Sequence, residues 1–356
     1  MATESLPARS IQIDPSDMRE LLRDSWSDKF QPAKLLVDGK SYSVEIGIRG
    51  GHTRNYIKKS YDIRMAGGRT IHWNAEYDDP SMIRNALSFH FFNEIGVPSP
   101  RTNHIWLTIN GQPQGVYLEI EAVDRHFFAR RGIRCRSLLY AVNDSADFSL
   151  IDPDTKERKK SLLAGYEVVR GPKGTRAKFA GFVKHLNLLS GKRLSAFTVR
   201  KLDVDQYLLW LAGAVLTGNY DGFDQNYAIY EHSDTGKYRI IPWDYEGTWG
   251  RNCYGKPCGS DLVSVRGYNK LTSKLMSFSS CRKKYAAVLQ KLLKEAFTVE
   301  KIDPVVREMY GKLWRAIRED DTRKHSYETF MGEPSFIRNY IRERRSIVKQ
   351  ALREWN

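Results

Sequence analysis

Cysteine is scarce in this chain, with four among 356 residues. That is too few for a disulfide framework. Cys253 and Cys258 are close, but they form no CxxC and have no histidine beside them, so a zinc site is not expected. Reduced thiols in a cytoplasmic compartment are the expectation. Long apolar runs are also missing: the longest is Tyr207 to Leu216, well short of the roughly 20 residues a membrane span needs. Residues 1–10 carry Glu4 and Arg9 and no apolar stretch, so a secretory leader is not expected. There is no internal repeat and no low-complexity segment. No helix-turn-helix, RNA-recognition or zinc-finger pattern is present to give nucleic-acid specificity.

What the chain does have is positive charge. Lys plus Arg is 57 against 42 Asp plus Glu, a net +15. This implies attraction to polyanions such as nucleotide phosphates or acidic surfaces; nucleic-acid binding is not expected as the main role. With 41% hydrophobic and 28% charged residues, the composition is that of a soluble globular protein. The length suits one large two-lobed domain or two ordinary ones.

Residues 1–30 read as a polar arm with a short helix around Met18 to Leu22. From Ala33 the pattern turns strand-like. Lys34 to Val37 and Tyr42 to Ile48 form a hairpin across Asp38-Gly39. Tyr61, Ile63 and Met65 alternate with polar residues as in a half-buried strand, and Lys59 shares their parity. Asp79-Pro80-Ser81 reads as a helix start, the helix running through Leu87 and Phe91 to Ile95 and stopping at Gly96. A second hairpin joins Asn103–Ile109 to Gly115–Glu121 across Asn110-Gly111. Residues 140–175 are loop-rich, Asp203 to Gly218 is a strongly apolar helix, and the last 80 residues are largely helical with basic faces. The fold class expected is α+β: a 1–30 arm, a small β-rich amino-terminal lobe over 31–125, and a larger, mostly helical carboxy-terminal lobe over 126–356. A cleft between two lobes is a common ligand site.

The chemically informative stretch runs from Thr217 to Asp244. Asn226 opens an apolar strand ending at Tyr230, His232 to Lys237 is a turn, and Tyr238 to Ile241 returns to deliver Asp244. The open ends of an antiparallel hairpin lie about 5 Å apart, so Asn226 and Asp244 are expected side by side. An amide oxygen beside a carboxylate is a suitable pair for Mg²⁺. Asp221, just before, can hold a hydroxyl and take its proton. A catalytic Asp five positions before an Asn, then a hairpin, then a metal-binding Asp, is the layout of a protein-kinase centre. The Asp-x4-Asn pair alone would arise about once by chance in such a chain; the hairpin to Asp244 gives it weight. Bland readings stand beside it: Asp221-Gly222 as a turn, Asn226 as a loop cap, Asp244 satisfied by backbone amides. Asp224 competes with Asp221, but the spacing to Asn226 favours Asp221.

Phosphoryl transfer also needs a cation on the nucleotide. Lys59 is the candidate, with Lys58 the runner-up; a solvated strand end is the plain alternative. The preceding loop, Arg49-Gly50-Gly51-His52-Thr53-Arg54, can bring N–H groups, a hydroxyl and guanidinium groups to phosphate. It matches neither Walker A nor the kinase GxGxxG. Glu121, on an inner strand, could pair with Lys59 and orient it.

At these residues the sequence resembles the spore-coat CotH protein kinases. The likeness is carried by Ile48–Arg54, Lys58-Lys59-Ser60-Tyr61, Trp73–Tyr77 with Asp79–Asn85, Asn110-Gly111 with Gly115–Glu119, Asn219–Gly222, Asn226-Tyr227, and Ile241–Tyr245 with Thr248–Arg251. The resemblance implies an atypical protein-kinase-like fold, with a catalytic hairpin over 219–250. It implies ATP and a divalent cation, Mg²⁺ or Mn²⁺, and transfer of the γ-phosphate to Ser or Thr of spore-coat proteins. Carried over, Asp221 is the catalytic Asp, Asn226 and Asp244 hold metal, and Lys59 contacts phosphate. Many members have His before the metal-binding Asn; here it is Gln225. The implied location is the mother-cell cytoplasm and the spore coat, with no membrane partner. Two further readings are AMP transfer on the same scaffold and a non-catalytic role in coat assembly.

Overall fold

Short runs of alternating apolar and polar residues, joined by tight turns, build the first part of the chain. The computed structural model describes residues 5–355; residues 1–4 and 356, and with them part of the leader expectation on residues 1–10, lie outside the described residues. The strands are β1 (Ala8–Ile13), β2 (Gln31–Val37), β3 (Lys40–Arg49), β4 (Ser60–Met65), β5 (Arg69–Asn74), β6 (Thr102–Ile109) and β7 (Gln112–Glu121). They close into a barrel in the order β1-β2-β3-β4-β5-β7-β6. Neighbours are antiparallel except at the parallel seam of β1 with β6, where Ala8 faces Trp106 and Ile11 faces Ile109. Closure leaves no strand edge unpaired. The turns Asp38-Gly39 and Asn110-Gly111 hold both residues at positive φ, as two-residue hairpins demand. Ile11, Ile46, Ile63, Trp73, Ile105 and Leu107 fill the barrel, all fully buried.

Two elements differ from the sequence reading. The arm over 1–30 contains α1 (Pro15–Arg23), capped by the Asp14 carboxylate, which accepts from the Ser16 N–H at 2.7 Å. Ahead of α1 the same arm supplies barrel strand β1. Only Ile11 and Ile13 alternate there, too few to reveal a period. The helix expected from Asp79 starts later, as α2 (Arg84–Glu94). Met82 sits at φ +60, which no helix continues. The Asp79 carboxylate accepts instead from the N–H groups of Ser81 at 2.8 Å and Arg84 at 2.9 Å.

The chain divides into two compact units. The first comprises the residues up to Leu87, Pro100–Phe127 and Asp303–Ser335. The second comprises Ser88–Ser99, Phe128–Ile302 and Phe336 onward. The first unit thus holds the barrel and borrows a segment from far along the sequence. In it the fully buried Arg84 pairs with Asp79 and with Glu333, each at 2.6 Å.

After α3 (Arg125–Arg130), the second unit carries a four-stranded antiparallel sheet of β8 (Cys135–Ala141), β9 (Tyr166–Arg170), β10 (Tyr227–His232) and β11 (Tyr238–Pro242), ordered β11-β10-β8-β9. Its helices are α4 (Thr175–Leu188), α5 (Gly191–Lys201), α6 (Val204–Thr217), α7 (Lys270–Met276) and α8 (Ser279–Glu295), followed by α9 (Val299–Glu319) and α10 (Tyr327–Glu354), which the two units share. Aromatic rings weld α4 to the sheet: Phe179 meets Tyr166 at 4.8 Å and Phe182 meets Tyr238 at 4.9 Å between centroids. Each buried ring of this size contributes about 1.5–3 kcal/mol. The content is mixed α and β. No described helix is long and apolar enough to cross a membrane, and all four cysteines are free thiols.

Candidate active site

The site in the second unit is built by α6 and the β10–β11 hairpin. From Tyr207 onward α6 is apolar on every side and almost wholly buried, so its end is fixed by packing rather than by solvent. Asp203 caps its start, accepting from the Gln206 N–H at 3.2 Å. Gly218 ends it at φ +77, and a Cβ there would lie 2.3 Å from the Tyr340 hydroxyl. That hydroxyl donates to the Leu216 carbonyl at 3.0 Å. Position 218 therefore requires glycine for both its dihedral and its space.

Asp221 follows in a single 3₁₀ turn, Tyr220–Gly222, and is partly exposed. Gly222 is buried against Asn219, whose side chain would lie 2.9 Å from an added Cβ. Asn219 is itself buried, and its Nδ2 donates to the Asp244 carbonyl at 3.2 Å. One amide thus ties the turn bearing Asp221 to the residue at the hairpin's end.

The hairpin register pairs Tyr227 with Pro242 and continues one step, the Trp243 N–H donating to the Asn226 carbonyl at 3.1 Å. Asn226 therefore stands opposite Trp243, and Asp244 follows one residue beyond it, so the side-by-side pairing expected of Asn226 and Asp244 is offset by one position. Both Asn226 (φ +58) and Asp244 (φ +54) are left-handed. Asn and Asp tolerate this region better than other non-glycine residues, at a cost that functional sites often carry.

The electrostatics are strongly negative. The Cys253 thiol is pushed up to about 12, first by burial, then by the charge and hydrogen bond of Asp221 and by the charges of Glu246 and Asp244. The Asp224 carboxyl is pushed up to about 6, chiefly by burial, partly offset by a backbone hydrogen bond, and further raised by Asp221, Asp144 and Asp147. Lys159 offsets part of this field, its Nζ 2.6 Å from Asp147 Oδ1. Such a field favours a bound cation. Among the described residues, no group of three or more His, Cys, Asp or Glu side chains makes a ready metal cage. One amide and one carboxylate oxygen, from Asn226 and Asp244, still suit Mg²⁺, which keeps waters and substrate phosphates in its shell. The donor types and the negative field thus fit a divalent cation. Sequence reasoning did not single out Asp144, Asp147 or Glu246, and weighed Cys253 only against a zinc site. The Asp144-x-x-Asp147 spacing and the nearness of Glu246 to Asp244 were the available signals, and neither is specific.

The remaining candidates lie in the first unit, and most have partners there. Arg49 Nε lies 2.8 Å from Asp62 Oδ1, and its Nη1 donates to Asn74. Asp62 also meets His72 Nδ1 at 2.5 Å. Burial pushes the Asp62 carboxyl up, but His72 and Arg49 outweigh it and hold it low. Arg54 is a staple: Nε donates to Gly50 O at 2.8 Å, Nη1 to Ser25 O and Ser27 O at 3.2 and 3.3 Å, and Nη2 to Asp28 Oδ1 at 2.8 Å. His52 is exposed, its ring edge-on to Tyr56 at 5.6 Å. Thr53 is half-buried in the 3₁₀ turn His52–Asn55.

The two lysines separate sharply. Lys58 is buried; its Nζ donates to Val116 O at 2.9 Å and to Asp320 Oδ2 at 3.1 Å, and sits 4.8 Å from the Tyr117 ring centre. Burial lowers its pKa to about 8 against the pull of Asp320. Lys59 is half-buried, with its Nζ on the Arg54 carbonyl at 2.7 Å and no carboxylate partner among the described residues. The parity expected from Tyr61 does not extend to it, because β4 begins only at Ser60. Glu121 does not meet Lys59. The ladders pair Ile63 with Ile71 and Ile71 with Glu121, which sets Glu121 four residues, roughly 13 Å, along the strands from the level of Lys59. Tyr117 occupies that level and donates its hydroxyl to Lys59 O at 2.8 Å. Glu121 Oε2 accepts from the Arg101 N–H at 3.1 Å instead.

Comparison with known proteins gives a consistent result. The family model described as CotH kinase protein matches residues 46–348. The chain is 39% identical to the inner spore coat protein H of Bacillus subtilis (strain 168), over 98% of each chain. It is 26% identical to an inner spore coat protein H-like protein of the same organism, over 83% of this chain and 86% of that one. Among solved structures, the Helicobacter pylori proinflammatory kinase CtkA matches at 11% identity with a TM-score of 0.36, covering 83% of this chain and 94% of that one; that superposition is too loose to carry an argument. The match across most of its length, and the close relative of equal extent, make this chain a member of the CotH kinase protein family.

Proposed function

We propose that the protein is an ATP-dependent protein kinase that transfers the γ-phosphate to Ser or Thr hydroxyls of spore-coat proteins, on an atypical kinase scaffold. One observation carries the reading. Asn219 links the Asp221 turn to Asp244, while Asn226 and Asp244 close the same hairpin end inside a strongly negative field. Family membership and the relative named as an inner spore coat protein support the kinase class and the coat setting.

In this reading Asp221 accepts a hydrogen bond from the substrate hydroxyl and orients it. As the hydroxyl oxygen bonds to the γ-phosphorus, the bond to the β,γ-bridging oxygen breaks, ADP leaves, and the proton passes to the Asp221 carboxylate. Asn226 and Asp244 would hold the Mg²⁺ that, when bound, neutralises phosphate charge. Within the first unit, Lys59 has no carboxylate partner among the described residues, whereas Lys58 is already committed to Asp320. Arg49 and Arg54 are engaged with Asp62 and Asp28, so their part is to shape the loop that carries His52 and Thr53. Because the transition state is loose, positioning and electrostatics supply most of the acceleration.

The test is ATP labelled at the α- or the γ-phosphate, incubated with Mg²⁺ and purified coat proteins. γ-Label on Ser or Thr supports the reading. α-Label on the product would replace it with AMP transfer, and neither label would leave a non-catalytic assembly role.

A further inference from the structure

We propose that a groove between α8 and α10 in the second unit docks an acidic peptide segment of a protein partner. The groove has a volume of about 580 Å³, within the range of built ligand sites. Leu293 and Leu352 form its floor and are almost fully buried. Lys294, Lys349 and Arg353 stand exposed around it, and Arg345 completes the lining. No acidic side chain lines it.

The charges around this groove are not spent internally. Arg345 is engaged: its Nη1 donates to the Leu293 carbonyl at 2.5 Å and to that of Phe297, tying off the end of α8. Lys294 and Lys349 have no ion-pair partner among the described residues. Arg353 donates only to the Lys349 carbonyl, at 3.5 Å. Elsewhere on the same helices surface charges do find partners, as in Lys284 with Asp205 at 2.7 Å and Ser260 with Glu343 at 3.0 Å. Three like charges held around one apolar floor repel one another and are relieved by an acidic occupant. An apolar floor of two leucines calls for an apolar side chain between the acids. A peptide carrying Asp or Glu on both sides of a Leu or Phe meets both demands. A nucleic-acid strand would call for stacking aromatics instead, and the lining has none.

The binding needs no phosphoryl transfer, so it is measured without nucleotide and stands or falls apart from the kinase reading. The probe is a fluorescein-labelled peptide, Glu-Glu-Leu-Glu-Glu-Phe-Glu-Glu, titrated with the full chain and followed by anisotropy at two salt concentrations. The proposal expects saturable binding, weakened at least tenfold by the double substitution Lys294→Glu with Lys349→Glu. The double substitution Lys184→Glu with Lys192→Glu makes the same charge change on other exposed lysines and is expected to cost less than twofold. Leu293→Ala, checked for folding by its thermal melt, is expected to weaken binding three- to tenfold. Equal losses in both charge-reversed variants would overturn the proposal, since they would mean attraction to net charge alone. Absence of saturable binding would also overturn it. So would displacement of the peptide by an equimolar single-stranded oligonucleotide, or preferential capture by anionic vesicles.

Discussion

Lys58 and Asp320 lie 262 residues apart in sequence and meet inside the first unit, ammonium to carboxylate at 3.1 Å, with both side chains almost fully buried. The carboxylate also accepts from the Val116 N–H at 2.8 Å, so one ion pair fastens the 303–335 segment to strand β7. Removing one partner of a buried pair strands the other. Lys58→Ala is therefore expected to cost about 3–5 kcal/mol in chemical denaturation. Lys59→Ala, which loses only a bond to a backbone carbonyl, is expected to cost under about 1 kcal/mol. Equal losses in the two variants would contradict the separation of their roles.

The same lysine sets a pH dependence. Its folded pKa is lowered to about 8 from 10.5. Between those values the unfolded chain holds a proton that the folded chain has released, so this group's contribution to stability rises with pH across that window and is lost as pH falls through about 8. Parent and Lys58→Met stabilities measured from pH 7.5 to 10.5 are expected to diverge, the parent gaining relative to the variant. Parallel curves would place the lysine's pKa at its ordinary value.

Arg54 tests whether the loop after β3 binds phosphate or braces the arm. Its guanidinium already serves the carbonyls of Gly50, Ser25 and Ser27 and the Asp28 carboxylate. Arg54→Ala is expected to lower stability by about 1–3 kcal/mol and to leave ATP affinity within about threefold. Unchanged stability with a tenfold loss of ATP affinity would make it a phosphate ligand.

These lysines and arginines mark the limit of what local sequence reveals. The hairpins at Asp38-Gly39 and Asn110-Gly111, the apolar helix between Asp203 and Gly218, and the strand–turn–strand from Asn226 toward Asp244 are written in adjacent residues, and the sequence reading matches them. Barrel closure by β1, the burial of Lys58 rather than Lys59, and the level of Glu121 depend on partners up to 262 residues away. No short-range pattern encodes them. The acidic field around Asp221 was hidden for the same reason: Asp144 and Asp147 reach it through tertiary folding, not through spacing.

Cys253 reports on Asp221 independently of catalysis. With its thiol raised to about 12 by burial and by Asp221, it is expected to alkylate with iodoacetamide at pH 8 at least tenfold more slowly than a free thiol, because the thiolate is the reactive form. Asp221→Asn removes a full negative charge and is expected to speed Cys253 labelling severalfold, read by peptide mass spectrometry. No change on that substitution would separate the two side chains.

The central claim is that Asp221 accepts the proton while Asp244 and Asn226 hold the magnesium–nucleotide. It is tested most directly by measuring phosphotransfer and ATP affinity together for the parent, Asp221→Asn and Asp244→Ala. Asp221→Asn is expected to lose about 10²–10⁴-fold in turnover with ATP affinity nearly intact, and Asp244→Ala to lose both turnover and magnesium-dependent ATP binding. Parent-like turnover in Asp244→Ala, or parent-like turnover in Asp221→Asn, would contradict it.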